Sequence, residues 1–186
     1  LENMRDGIYT SHEGKVLNSL KVSNCSFIGN YISLWLSGDG GVVEVNQCNF
    51  QNSTTEGEFI VGWDYLEMEI RESVFRRSSN IYSTQGIALS GIQNLLIDRC
   101  DFFEGTVGVN LSHCGPSILK DCLFDDQRNA AISLPQNVDL VIEGCQFRNQ
   151  AVALTSLTPN VQVQMVDSQV EAIENCSFLI SAIQSL

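Results

Sequence analysis

Four acidic side chains fall at related places in two neighbouring stretches of this chain, Cys100-Asp-Phe-Phe-Glu104 and Cys122-Leu-Phe-Asp-Asp126. Counted from Phe102 and Phe124, Glu104 and Asp126 are equivalent, with Asp101 and Asp125 close by. Clustered carboxylate oxygens suit a hard cation such as Ca²⁺, and a pair of acids can cleave a glycosidic bond. Glu104, Asp125 and Asp126 are therefore the candidate catalytic residues. Asp101, Glu104 and Asp126 are the candidate Ca²⁺ ligands, and Ca²⁺ is the one cofactor suggested. The simpler reading, and the preferred one, is a solvated corner in which Arg77 stacks on Glu104 and Arg148 on Asp125. Zinc is disfavoured, because Cys114 and Cys176 lack zinc-site spacing and His12 and His113 stand far apart.

Binding offers other handles. Two successive insertions, Ser53-Thr-Thr-Glu-Gly57 and Ser78-Ser-Asn-Ile-Tyr-Ser-Thr-Gln85, should rise together as a lip. Loops on a rigid scaffold carry function, so Arg76, Arg77, Asn80 and Tyr82 are the ligand contacts expected there. Trp35 is expected to project outward beside a flat face of small residues, Ser33, Ala88, Gly108, Ser133 and Ala153, where a ring can stack on a sugar. Leu96, Ile118 and Val141 should form an outward apolar column, the mark of packing against another chain or domain.

These residues depend on a scaffold that the sequence writes several times over. The pattern apolar, any, apolar, two polar residues, Cys, any, Phe reads Leu20-Lys-Val-Ser-Asn-Cys-Ser-Phe27 and Leu140-Val-Ile-Glu-Gly-Cys-Gln-Phe147, with four further copies between, about every 23 residues. A repeat this short cannot bury its own apolar face and must stack on its neighbours. Within each repeat the apolar residues alternate at spacing two and are rich in Val, Ile, Leu and Phe, so each piece is a strand. The two polar residues mark a tight corner. A third strand follows: Ile32-Ser-Leu34, Phe59-Ile-Val61, Ile87-Ala-Leu89, Val107-Gly-Val109, Ile132-Ser-Leu134 and Val152-Ala-Leu154. The expected fold is all-β: a single-stranded parallel β-helix of about seven to eight coils with three short sheets, rising ~4.8 Å per coil. Either Val163-Gln-Met-Val-Asp-Ser-Gln-Val170 or Ile173-Glu-Asn-Cys-Ser-Phe178 could hold the last register.

Leu140-Val-Ile-Glu-Gly-Cys-Gln-Phe-Arg-Asn-Gln-Ala-Val-Ala-Leu154 resembles the right-handed parallel β-helix repeat of the pectin lyase-like superfamily, and the likeness covers nearly the whole chain. It implies the fold; it does not select among the lyases, hydrolases, epimerases, tailspikes and adhesins built on that fold. Where such repeats often stack Asn at the corner, this chain has Cys25, Cys48, Cys100, Cys122 and Cys145, with Ser73 and Ser168 in the same column. The Asp and His groupings of polygalacturonase-like members are not visible.

The corner charges alternate in sign down the stack: Arg71, Asp98, Lys120, Glu143 in one column and Glu72, Arg99, Asp121 in the next. Such pairs fix register more than they add stability, and they make Arg99 and Lys120 ladder partners rather than proton acceptors. The five corner cysteines read as small buried apolar side chains, although stacked neighbours such as Cys25 and Cys48 fall within bridging distance.

A net charge of −12 over 186 residues argues against nucleic acid and, without a bridging cation, against polyuronates. Neutral glycans and proteins remain as partners. No apolar run reaches the length of a membrane span. Four Asn-x-Ser/Thr sequons, at Asn24, Asn52, Asn110 and Asn175, favour an extracellular or cell-surface setting. Residues 1–186 read as a single domain, and because Arg5-Asp-Gly-Ile-Tyr9 looks like the third strand of an earlier coil, flanking domains of a longer protein are expected. The preferred function is a non-catalytic binding or structural module contacting glycan or a protein partner. The alternatives are a carbohydrate-active enzyme, either polysaccharide lyase or glycoside hydrolase, and an adhesin or autotransporter passenger segment, the last on the single unit Phe27-Ile-Gly-Asn30.

Overall fold

A computed structural model describes residues 1–10, 18–38, 40–52, 57–77, 85–156, 158, 160–171 and 178–180. All described strand pairs are parallel. The apolar-x-apolar pieces form a first sheet that runs from Ser19–Ser23 to Val161–Val166, with Leu20, Val43, Met68, Leu95, Ser117, Leu140 and Val163 in register. The short pieces around each Phe form a second sheet of seven strands, from Ser26–Ile28 to Gln169–Glu171. The remaining strands, from Asp6–Thr10 to Phe178–Ile180, form a third. Seven strands in the second sheet are separated by six complete turns, slightly fewer than the seven to eight coils expected. The last register belongs to Val163–Val170, since Val170 pairs with Phe147 and Ser168 Oγ accepts from the Cys145 backbone N–H at 3.1 Å.

Stacking places equivalent side chains over one another. Phe27, Phe50, Phe75, Phe102, Phe124 and Phe147 form one column of buried rings, with centroids 4.8–5.2 Å apart and planes within 6° of parallel. The offset between strands therefore becomes a ring-stacking distance that aromatic pairs favour. Beside the rings, the corner cysteines turn inward. Each thiol donates to the carbonyl two residues back, as Cys100 Sγ does to Asp98 O at 3.4 Å. Cys48, Cys100, Cys122 and Cys145 also reach a carbonyl of the preceding coil. Ser73 and Ser168 fill the gaps with the same bond, to Arg71 O and Val166 O.

The second polar residue of each first corner sits in the left-handed region. Asn24, Gln47, Glu72, Arg99, Asp121, Gly144 and Asp167 all have φ between 49° and 64°. This conformation turns the chain between the first and second sheets and points those side chains to solvent. Gln47 and Arg99 each hydrogen-bond Glu72, at 2.9 and 2.7 Å, and the neighbouring column pairs Arg71 with Asp98 at 3.4 Å and Lys120 with Glu143 at 3.2 Å. Donors from Gln47 and Arg99 hold the Glu72 carboxyl below the ordinary glutamate range. A depressed carboxyl stabilises the fold above its unfolded pKa, and that contribution is lost as pH falls through the lower folded value. Glu72→Gln is accordingly expected to lower the midpoint of thermal unfolding slightly at neutral pH and not at all in strong acid; a gap between the two proteins that persists in acid would refute the ladder's role.

Two expectations are corrected. The first and third sheets are not separate throughout, because Val107–Lys120 and Ala130–Glu143 each run as one 14-residue strand across the third corner. There the chain bends through register shifts at Asn110/Ser112 and Cys114/Pro116, with His113 left-handed at φ 51°, and the two strands stay paired on both sides of the bend. Cys114 is buried at this bend, its thiol donating to Ser112 O at 3.5 Å. The register of the third strand also differs: Leu34, Ile60, Ile87, Val109, Ile132 and Leu154 align. Ser33, Gly108 and Ala153, each just before an aligned residue that is also buried, break the alternation and are buried, not outward. At Gly108 there is no room for a side chain: a Cβ would come within 2.8 Å of the Ala131 carbonyl oxygen and 2.9 Å of the Phe124 ring.

Candidate functional site

With that register, the outward column of the third sheet reads Tyr9, Trp35, Val61, Ala88, Asn110, Ser133, Thr155. Trp63 joins it diagonally from the adjacent column, where it lies between Ser37 and Ser90. The result is a strip of three rings from consecutive coils. Trp35 is in the middle, its centroid 6.1 Å from Tyr9 and 5.3 Å from Trp63. Tyr9 is 59% exposed and both indoles are partly exposed. Beyond the rings the same face becomes small and polar, and Asn110 Nδ2 donates to Gln85 Oε1 at 2.7 Å. Partly exposed rings of this size present apolar faces beside hydrogen-bonding groups, the arrangement that suits a pyranose. Trp35 was expected here; Tyr9 and Trp63 were not. Tyr9 would have emerged from aligning Gly7 with Ser33, since those positions are neighbours in the stack.

The acidic candidates occupy a different corner. Glu104 and Asp126 are both left-handed, at φ 61° and 64°, and they stack, as expected, with Asn149 next in the column. Together with Arg76, Phe103 and Asp125 they line an open groove of about 600 Å³. The Arg76 guanidinium lies 4.2 Å from the Phe103 ring centroid, and Asn149 Nδ2 donates to Asp125 Oδ1 at 2.8 Å. Burial pushes the Asp101 carboxyl up, with Arg76 opposing. Among the described residues, no group of three or more Asp, Glu, His or Cys side chains is placed to hold a metal ion.

Arg77 departs from both roles expected of it. Its residue is only 3% exposed, so it neither stacks on Glu104 at the surface nor offers itself to a ligand on a lip. The guanidinium lies over the Phe59 ring, 4.4 Å from its centroid, and Nη2 donates to the carbonyls of Gly57 and Gln85. Those two residues close the two insertions, so Arg77 fastens both to the core. Burial pulls its pKa down to about 10 against the opposing charge of Glu58. Arg77→Leu removes the donor to both carbonyls, and chemical denaturation is expected to report a loss of about 1–3 kcal/mol; an unchanged midpoint would show that the clamp is idle. Asn80 and Tyr82 lie outside the described residues.

Leu96, Ile118 and Val141 do form an outward column on the first sheet, continuing from Lys21, Glu44 and Glu69. Ile118 is the most exposed apolar residue of the three. Leu96 and Ile118 line a shallow groove of about 180 Å³ with Glu67, Asn94 and Pro116.

A parallel stack of this kind, with a left-handed corner and a Phe column, has a counterpart among protein families. The family model described as right handed beta helix region matches residues 32–185. The chain belongs to the right-handed β-helix family. No curated protein matches it. As a right-handed β-helix it has its described core inside the coils, and its functional surfaces must be outer faces and corners. Among the described residues, no helix is long and apolar enough to cross a membrane.

Proposed function

We propose that this β-helix is a non-catalytic binding module for neutral glycan, with Tyr9, Trp35 and Trp63 as the stacking platform. The observation that carries this reading is the alignment of three partly exposed rings on consecutive coils, at 6.1 and 5.3 Å centroid spacing. Sheet stacking fixes the rings along the solenoid axis, so little conformational freedom is lost when a sugar chain lies across them. The net charge of −12 disfavours polyanionic glycans and leaves neutral ones. An extracellular or cell-surface setting accords with the four sequons.

The second reading is a carbohydrate-active enzyme, and it rests on the groove formed by Glu104, Asp125, Asp126 and Arg76. A glycan array combined with a reducing-sugar assay separates the two. The binding reading expects retention on neutral glycans without release of reducing ends. Release that is lost in Asp126→Ala would replace it with the enzymatic one.

A further inference from the structure

The thiol column carries a second feature, independent of the glycan reading. Five of its seven positions are cysteine, and four of those cysteines, Cys48, Cys100, Cys122 and Cys145, are buried; Cys25 alone is partly exposed. Cys25 and Cys48 are direct neighbours in the stack, since Asn49 N–H donates to Cys25 O at 2.9 Å and Ser26 pairs with Asn49. The Cys48 thiol also leans toward the first coil, reaching Val22 O at 3.6 Å, while Cys25 Sγ is 3.3 Å from Ser23 O. Cα atoms one strand apart, ~4.8 Å, lie within the span a disulfide tolerates. Access sets Cys25 apart: Cys48 is 3% exposed and Cys100, Cys122 and Cys145 at most 1%, and burial pushes up the thiols of both Cys48 and Cys100, the latter to about 12. Ser73 separates the Cys25–Cys48 pair from them.

We propose that Cys25 and Cys48 are a reversible oxidation site, in which small organic disulfides such as glutathione disulfide convert the pair to an intramolecular bridge. The Cys25 thiolate attacks one sulfur of glutathione disulfide, forming a mixed disulfide and releasing one glutathione thiolate. The Cys48 thiolate then attacks Cys25 Sγ, closing the Cys25–Cys48 bond and expelling the second. The two protein protons pass to the two glutathione thiolates, and the two electrons lost by the protein reduce one glutathione disulfide. Access makes Cys25 the attacking thiol and Cys48 the resolving one. The bridge closes a loop that contains Ile32–Ser37, the strand carrying Trp35, and so ties redox state to the rigidity of that coil.

The test uses the full chain, reduced, freed of reductant and incubated with glutathione disulfide, then alkylated and mapped by mass spectrometry. Cleavage after glutamate separates the two thiols at Glu44, and Cys176, outside the described residues, is read on its own peptide. The expected product joins the Cys25 and Cys48 peptides, with two hydrogens lost and no glutathione retained on either. Cys48→Ser should instead keep one glutathione on Cys25, and Cys25→Ser should slow reaction at Cys48 at least tenfold. Retained glutathione on Cys25 in the unsubstituted chain, no reaction, or a Cys122–Cys145 bridge forming as fast would overturn the proposal.

Discussion

Phe102→Ala is expected to destabilise the protein by about 3–5 kcal/mol. The ring is 1% exposed and sandwiched between Phe75 and Phe124, both at 4.8 Å. Across the core it faces Gly86, whose hypothetical Cβ would lie 3.4 Å from it. A glycine has no side chain to move into the space, so the cavity stays open and two stacking partners lose contact at once. The position is central in the column, and in a solenoid each coil depends on its two neighbours. Unfolding should therefore lose cooperativity as well as stability. Phe27→Ala, at the end of the column with one ring neighbour, should cost less. Urea denaturation followed by circular dichroism reads both effects. Equal, small losses at the two positions would mean that the rings are not stacked as described.

Trp35→Ala is expected to weaken neutral-glycan binding at least tenfold, a loss of about 1.4 kcal/mol or more. Trp35 contributes the central ring, touching both Tyr9 and Trp63, so its removal splits the platform rather than shortening it. Tyr9→Ala, at the edge, should cost only a few-fold. Neither change should unfold the chain, because both side chains stand on the outer face while the core under them is Ile8, Leu34 and Leu36. Isothermal titration against a neutral oligosaccharide, with circular dichroism as the control, measures this. An affinity that survives Trp35→Ala would move the binding surface elsewhere on the rod.

Much of the architecture is legible in the chain because the first corner repeats its chemistry. Leu20 to Phe27 and its copies carry alternation, corner and ring in a fixed order, and the charge pairs Arg71–Asp98 and Lys120–Glu143 confirm the alignment. The third strand is harder to place. Its flanking loops vary in length, and Ser33, Gly108 and Ala153 are as compatible with an outward flat face as with a column compressed against phenyl rings. Relative to Ile87, the observed register is displaced by two residues at Ile32-Ser-Leu34, Val107-Gly-Val109 and Val152-Ala-Leu154 and by one at Phe59-Ile-Val61, and that mismatch hid the partnership of Tyr9, Trp35 and Trp63. Arg77 is misleading for a different reason: an arginine beside an insertion suggests a surface contact, whereas here its side chain turns inward to two backbone carbonyls. The outward column Leu96, Ile118 and Val141 is read correctly because it lies on the regular first strand.

Both tryptophans of the chain belong to the strip, so intrinsic tryptophan fluorescence reports on that surface alone. Titrating the protein with a neutral oligosaccharide that it retains on a glycan array should give a saturable change in emission, with a midpoint equal to the calorimetric affinity. Retention and affinity with no change in emission would place the sugar away from Trp35 and Trp63 and contradict the account.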